Sequence, residues 1–336
     1  MVDSPDRGVP RMHIRQAPLQ QRRVPPRRFS GAHLKFRPVQ PEILLTLSAG
    51  SIRPLLSDPQ AFADAEVKLP RNVFELPDFV ATDLQLRGLN LPTDLLKGFG
   101  LPEVDKLRDA ADRAHCPVLL LFEEPAIDFT ERGANWAKSV ERLRRLGLAA
   151  NRLGCPSIAV RATAADTDAA LEATAAGVKM ALKELDKFDL NLLLAPHEGL
   201  THSAARLTDL IKKIGGFRIG SYPSFAHAYA TGDLENTLRK LAPYAPAIAA
   251  SVRGFDAKTG EHDGYSLESC VDCVRSVGYG NTLALDFVGR GADEPGAKKT
   301  SKKAAKVDII GELLKARAQL EAATSEPELA LDEEEE

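Results

Sequence analysis

The sequence lacks any run of 18 or more apolar residues, the length that a membrane-spanning helix requires. Cysteine is also scarce: Cys116, Cys155, Cys270 and Cys273 are too few for a fold held together by disulfides. Cys270 and Cys273 form a C-x-x-C, but they fall inside an amphipathic helical pattern at core spacing, so we interpret them as packing residues. These scarcities favour a cytoplasmic protein with reduced thiols.

The sequence also lacks a large excess of either charge, since it contains 44 Lys and Arg and 47 Asp and Glu. The charges are nevertheless concentrated at particular places. Residues 1–40 carry nine Lys or Arg and two Asp, five lysines fall within 298–306, and residues 326–336 carry seven acids and no base. Charged, weakly apolar segments tend to be disordered. We therefore expect a disordered basic extension at 1–40, one folded domain at 41–323 and a disordered acidic tail at 324–336.

The central part of the chain contains eight short apolar runs without alternation, as expected for strands that are covered on both faces. They occupy residues 43–47, 84–91, 117–122, 156–160, 190–195, 217–220, 247–252 and 282–287. Most intervals between runs have helical periodicity, and another helical pattern follows the last run at 306–323. This alternation predicts an α/β fold, a single (β/α)8 TIM barrel. An open doubly wound sheet remains the alternative, because residues 48–83 are rich in proline.

Polar side chains gather where the predicted strands end, which is the face that carries the active site in (β/α)8 barrels. Strands three to eight contribute acids, arginines, histidines and hydroxyl groups at this point. We expect substrate-binding roles for six of them, namely Glu123, Glu124, Arg161, Tyr222, Ser224 and Arg253. The expected catalytic residues are His197, Glu198 and Asp286.

Three segments carry a family resemblance: "LLLAPHEGLTHSAARLTDLI", "RIGSYPSFAHA" and "GYGNTLALDFVGRGAD". Together they make residues from about 80 to 323 resemble the xylose isomerase-like TIM barrels, a superfamily of sugar isomerases, sugar epimerases and type-2 AP endonucleases. The resemblance implies a divalent metal, such as Mn, Mg, Zn or Co, that polarises a sugar carbonyl. It also implies two carboxylates that move a proton between neighbouring carbons.

Several of the ligand positions that the family implies hold residues without a suitable donor here. The strand-five glutamate falls on Ala195, and the strand-six aspartate falls on Ser224. The strand-seven histidine falls near Ser251, or on Ala249 if the register shifts by two. The resemblance therefore implies a degenerate metal site, with any metal held by the residues that remain.

The ligands that remain are His227 and Asp286, with His197 or Glu198 as a substitute from strand five. If Ala195 faces inward, strand alternation turns His197 inward as well. We expect an isomerase of the sugar isomerase/epimerase type that uses proton transfer next to a carbonyl, with altered metal ligands or no metal. The alternative is a non-catalytic barrel that binds a sugar-like ligand or a protein partner.

The expected partner is a small sugar-like molecule, and the sequence leaves open whether the chain forms a homo-oligomer. Nucleic acid is not expected as a partner, because the endonuclease branch of the family needs more histidine and glutamate ligands than this sequence offers.

Overall fold

The computed structural model describes residues 42–58, 68–290 and 308–325. Within these ranges eight strands form one sheet. They are β1 Leu44–Ser48, β2 Leu89–Pro92, β3 Val118–Ile127, β4 Ser157–Ala162, β5 Asn191–Ala195, β6 Ile219–Ser221, β7 Ala247–Val252 and β8 Thr282–Phe287. The α-helices of the same ranges are α1 Arg53–Ser57, α2 Leu76–Thr82, α3 Leu101–Arg113, α4 Gly133–Leu153, α5 Asp168–Leu185, α6 Ala204–Ile214, α7 Phe225–Ala230, α8 Leu234–Leu241, α9 Leu267–Arg275 and α10 Ile309–Thr324.

The strands are parallel and follow the order β6-β5-β4-β3-β2-β1-β8-β7. β1 pairs with both β2 and β8, which brings the two halves of the chain together. The remaining seam, between β6 and β7, is closed by a parallel bridge between Ser224 and Ala249. The predicted (β/α)8 barrel is confirmed, and the open sheet is excluded. Each apolar run of the sequence overlaps one strand, whereas the short helix α7 was not predicted.

Buried apolar side chains form an outer and an inner layer. The outer layer lies between strands and helices, and it includes Cys270 at 0% and Cys273 at 3% exposure, as predicted for packing residues. The inner layer fills the barrel and contains several small residues, among them Ala159, Ala195 and Ala249. Barrel interiors are usually filled by bulky branched side chains. Alanines at these positions leave open space at one end of the barrel.

Some predictions concern segments outside the described residues. These are the basic extension at 1–40, the lysine run at 298–306 and the acidic residues at 326–336. In the part of the chain that the structure describes, no helix combines the length and apolar character needed to cross a membrane.

Candidate functional site

A cavity of about 260 Å³ opens where the parallel strands end. Six residues that the sequence analysis singled out line its wall: Glu124, Arg161, Tyr222, Ser224, His227 and Asp286. Ala195 and Ala249 line it too, so the small inner-layer residues provide its space. The volume lies just below the range of pockets for drug-sized ligands, which are about 300–1,000 Å³, and therefore suits a small molecule.

One side of the cavity is formed by the ends of β6 and β8. Tyr222 is buried, and the Nδ2 of Asn90 on β2 lies 3.5 Å from its phenol oxygen. Burial, reinforced by the negative charge of Asp286, raises the pKa of Tyr222 well above its usual range. The phenol therefore stays protonated and is available as a hydrogen-bond donor beside the carboxylate of Asp286.

His227 reaches the same side of the cavity from α7, the short helix that follows β6. Ser224 caps this helix, and its hydroxyl accepts a 3.1 Å hydrogen bond from the backbone N–H of His227. Both ring nitrogens are buried and make no well-formed hydrogen bond with the described residues. Burial, followed by the charge of the neighbouring His202, lowers the pKa of His227 to about 4. The imidazole is therefore neutral at neutral pH and can accept a proton.

The opposite side of the cavity carries the ends of β3 and β4. Glu124 is bound by Arg53, whose guanidinium lies 2.7 Å from it and 2.8 Å from Asp94. Arg161 donates a 3.3 Å hydrogen bond to the backbone oxygen of Glu124. Its guanidinium lies over the ring of Phe122, 5.1 Å from the centroid. This side therefore combines an arginine–carboxylate network with a second guanidinium.

Four of the predicted site residues do not line this cavity. Glu123 points out of the barrel, where Arg142 at 2.6 Å and Thr93 at 2.7 Å bind its carboxylate. Arg253 is 5% exposed, and its guanidinium lies 3.6 Å from Asp263 and over the ring of Tyr229.

His197 and Glu198 follow β5 but are also absent from the wall. The strand ends at Ala195, so alternation does not continue, and Pro196 forms the next part of the wall. The backbone N–H of His197 donates to Thr201, and Glu198 is exposed. Burial, and then the charge of Arg161, lowers the pKa of His197, although Glu198 opposes this effect.

Three polar residues of the cavity, Ser48, Arg53 and Asn90, were not identified from the sequence. Asn90 was detectable, because it interrupts the apolar run at 84–91. Arg53 was not, since it lies on α1 rather than directly after a strand.

Several solved structures superpose on this chain. A D-psicose 3-epimerase from Clostridium cellulolyticum H10 has a TM-score of 0.62 at 13% identity, covering 79% of this chain and 98% of the epimerase. A 3-keto-D-glucoside 4-epimerase from E. coli has a TM-score of 0.59 at 12% identity, and the match covers 82% of this chain and 100% of the epimerase. The IolI protein, solved with a bound zinc atom, has a TM-score of 0.60 at 10% identity, and the match covers 84% of this chain and 98% of IolI. This chain shares the (β/α)8 barrel fold of these structures. No protein-family model and no curated protein sequence matches it.

The family resemblance of the sequence implies a divalent metal, but the residues at this site do not fit one. His227 and Asp286 both line the cavity, and the buried ring nitrogens of His227 suit a ligand. However, in residues 42–58, 68–290 and 308–325 no three His, Cys, Asp or Glu side chains are grouped closely enough to hold a metal ion. Catalytic metal sites usually have three protein ligands. The side chains that line this cavity therefore do not form a catalytic metal site.

Proposed function

We propose that the cavity binds a sugar-like, polyhydroxylated small molecule. It lies at the ends of the parallel strands, where (β/α)8 barrels carry their active sites. Its wall combines the aromatic rings of Phe122 and Tyr222 with amide, hydroxyl, carboxylate and guanidinium groups. Ligand pockets typically have this mixture of apolar surface and a few polar groups. The solved epimerase structures with the same fold agree with this class of ligand.

We further propose that the chain acts on this ligand by proton transfer next to a carbonyl, as an isomerase or epimerase does. The observation that carries this step is that Asp286 and His227 face the same cavity. Either group can take a proton from carbon, and the same group, now protonated, can return it to the neighbouring carbon. The Tyr222 phenol is placed to donate a hydrogen bond to the carbonyl oxygen as negative charge develops on it.

A second candidate function is binding without turnover. Ala195 supports it, because its methyl group lines the wall at the end of β5, where the family resemblance implies a proton-moving carboxylate. The lack of a grouped metal-ligand set among the described residues supports it as well.

The two candidates are separated by isotope exchange together with binding. Neutral and acidic aldoses and ketoses are incubated with the full-length protein in D2O, and proton NMR follows deuterium incorporation next to the carbonyl. Calorimetry measures binding of the same sugars. Exchange that is lost in Asp286→Asn or His227→Gln supports the isomerase proposal. Binding without exchange supports the second candidate, and failure of every sugar to bind overturns both.

A further inference from the structure

We infer that the cavity selects ligands that carry an anionic group, a carboxylate or a phosphate, and that the guanidinium of Arg161 binds this group. The inference rests on the proposed function for the sugar part of the ligand, but the anion site itself follows from the side chains around Arg161.

Arg161 has most of its hydrogen-bonding capacity left for a ligand. A guanidinium has five N–H donors. The described residues engage one of them, through the 3.3 Å hydrogen bond to the backbone oxygen of Glu124. Among these residues no carboxylate lies within 4.0 Å of the guanidinium. Its plane, packed over Phe122, is suited to bind a carboxylate or phosphate through two parallel hydrogen bonds.

The acidic residue that lies next to Arg161 in space already has an ion-pair partner. Glu124 makes its ion pair with Arg53 rather than with Arg161, and Arg53 also binds Asp94. The positive charge of Arg53 is therefore shared between two carboxylates. The charge of Arg161 has no such partner among the described residues, so Arg161 attracts an incoming anion. The ion pair with Arg53 reduces the repulsion that Glu124 exerts on the same anion.

The neighbouring strand supplies no negative charge either. Arg161 on β4 is in register with Ala195 on β5, and both line the cavity. An acid at the position of Ala195 would face the guanidinium directly, whereas the methyl group leaves its charge unopposed. Because no acid on β5 offsets the guanidinium, the electric field that Arg161 produces beside Ala195 is positive. Such a field repels a divalent cation and attracts an anion.

The arrangement also determines how a ligand is oriented in the cavity. In the closed order of eight strands, β4 and β8 lie four strands apart by either route, so Arg161 and Asp286 lie across the barrel from each other. An anionic group bound at Arg161 places the rest of a small ligand towards Tyr222, His227 and Asp286. The anchor is thus separated from the groups that are proposed to move protons.

Calorimetric titration of the full-length protein tests the inference. The probes are D-glucose, D-gluconate, D-glucose 6-phosphate and inorganic phosphate. We expect at least one acidic sugar to bind about tenfold or more tightly than D-glucose, and its identity distinguishes a carboxylate from a phosphate. Arg161→Gln should weaken that binding by about 10- to 100-fold, the usual range for a charge-assisted contact. The matched control Arg145→Gln, on the exposed face of α4, should change nothing.

A second variant, Arg161→Lys, keeps the charge without the planar fork and should bind inorganic phosphate with an affinity between those of the parent and Arg161→Gln. If circular dichroism reveals a folding defect in Arg161→Gln, the Arg161→Lys variant still tests the inference. Equal affinity for D-glucose and both acidic sugars overturns the inference and leaves the sugar proposal standing. Phosphate binding that depends on Arg161, with no sugar bound, supports the inference and overturns the sugar proposal. Failure of every anion to bind at millimolar concentration overturns the inference.

Discussion

The buried imidazole of His227 makes the stability of the fold depend on pH. Its pKa is about 4 in the folded protein, against an ordinary value of 6.5 that applies when the chain is unfolded. Between these values the unfolded state binds more protons, so stability rises with pH from about 4 to 6.5 and this contribution is constant above 6.5. Each pKa unit corresponds to about 1.4 kcal/mol. We expect His227→Gln to flatten this part of the profile in urea unfolding measured across the pH range.

The exposed His115 supplies the control for this measurement. His115→Asn suits the positive φ of 51° at this position and should keep the parental slope between pH 4 and 6.5. A slope that survives unchanged in His227→Gln would show that another group causes it.

The pairing of Arg161 with Ala195 explains why a metal ligand set does not assemble at β5, and it gives a test by substitution. Ala195→Glu alone places a carboxylate beside Arg161, where the two should form an ion pair that leaves Mn²⁺ only weakly bound. In the double variant Ala195→Glu with Arg161→Gln, the carboxylate is released beside a cavity that already holds His227 and Asp286. We expect the double variant to bind Mn²⁺ at least about tenfold more tightly in calorimetry. Equal affinities would show that the charge of Arg161 does not oppose the metal.

Six predicted residues line the cavity, including Arg161, His227 and Asp286, and sequence reasoning could find them because each ends or closely follows a predicted strand. His197 was predicted to face inward by extending the alternation of β5. The structure ends that strand at Ala195, and a sequence cannot reveal where the pairing with β6 stops. Arg53 was missed because it reaches the cavity from a helix and is positioned by contacts with Asp94 and Glu124, which are distant in sequence.

At the scale of elements, a carboxylate of α10 binds the segment at 253–266 that follows β7. Glu312 accepts a 2.6 Å hydrogen bond from the backbone N–H of Phe255, which is 4% exposed. The same segment places Arg253 over Tyr229 on α7, the helix that carries His227. Because Glu312→Ala leaves a buried N–H without its acceptor, we expect it to lower the free energy of unfolding by about 1–3 kcal/mol in urea titration.

Two further variants identify the cause of such a loss. Glu312→Gln retains an acceptor oxygen and should cost less than the alanine variant. Glu141→Ala removes an exposed carboxylate that forms a surface pair with Arg145, and it should cost less than about 1 kcal/mol. Equal losses in Glu312→Ala and Glu141→Ala would contradict a specific role for the contact with Phe255.

At the scale of the whole molecule, the barrel has a seam between β6 and β7 that coincides with the cavity. β6 has three residues, and the seam is closed by the bridge between Ser224 and Ala249, where the Ala249 N–H donates a 2.9 Å hydrogen bond to the oxygen of Pro223. By contrast, β7 and β8 pair through six residues. Regions with fewer hydrogen bonds open at lower free energy. The Ala249 amide should therefore exchange with deuterium faster than the amides of β7 that face β8.

Ligand binding should close this seam. Tyr222 and Ser224 line the cavity on the β6 side and Ala249 lines it on the β7 side, so a bound sugar contacts both edges. A ligand at about 100 times its Kd stabilises the state that binds it by about 2.7 kcal/mol, which corresponds to roughly 100-fold slower opening. We expect the tightest-binding acidic sugar to slow exchange at Ala249 by up to this factor, with little change in the outer helix α3. Unchanged exchange at Ala249 under conditions where calorimetry shows saturation would place the ligand elsewhere on the protein.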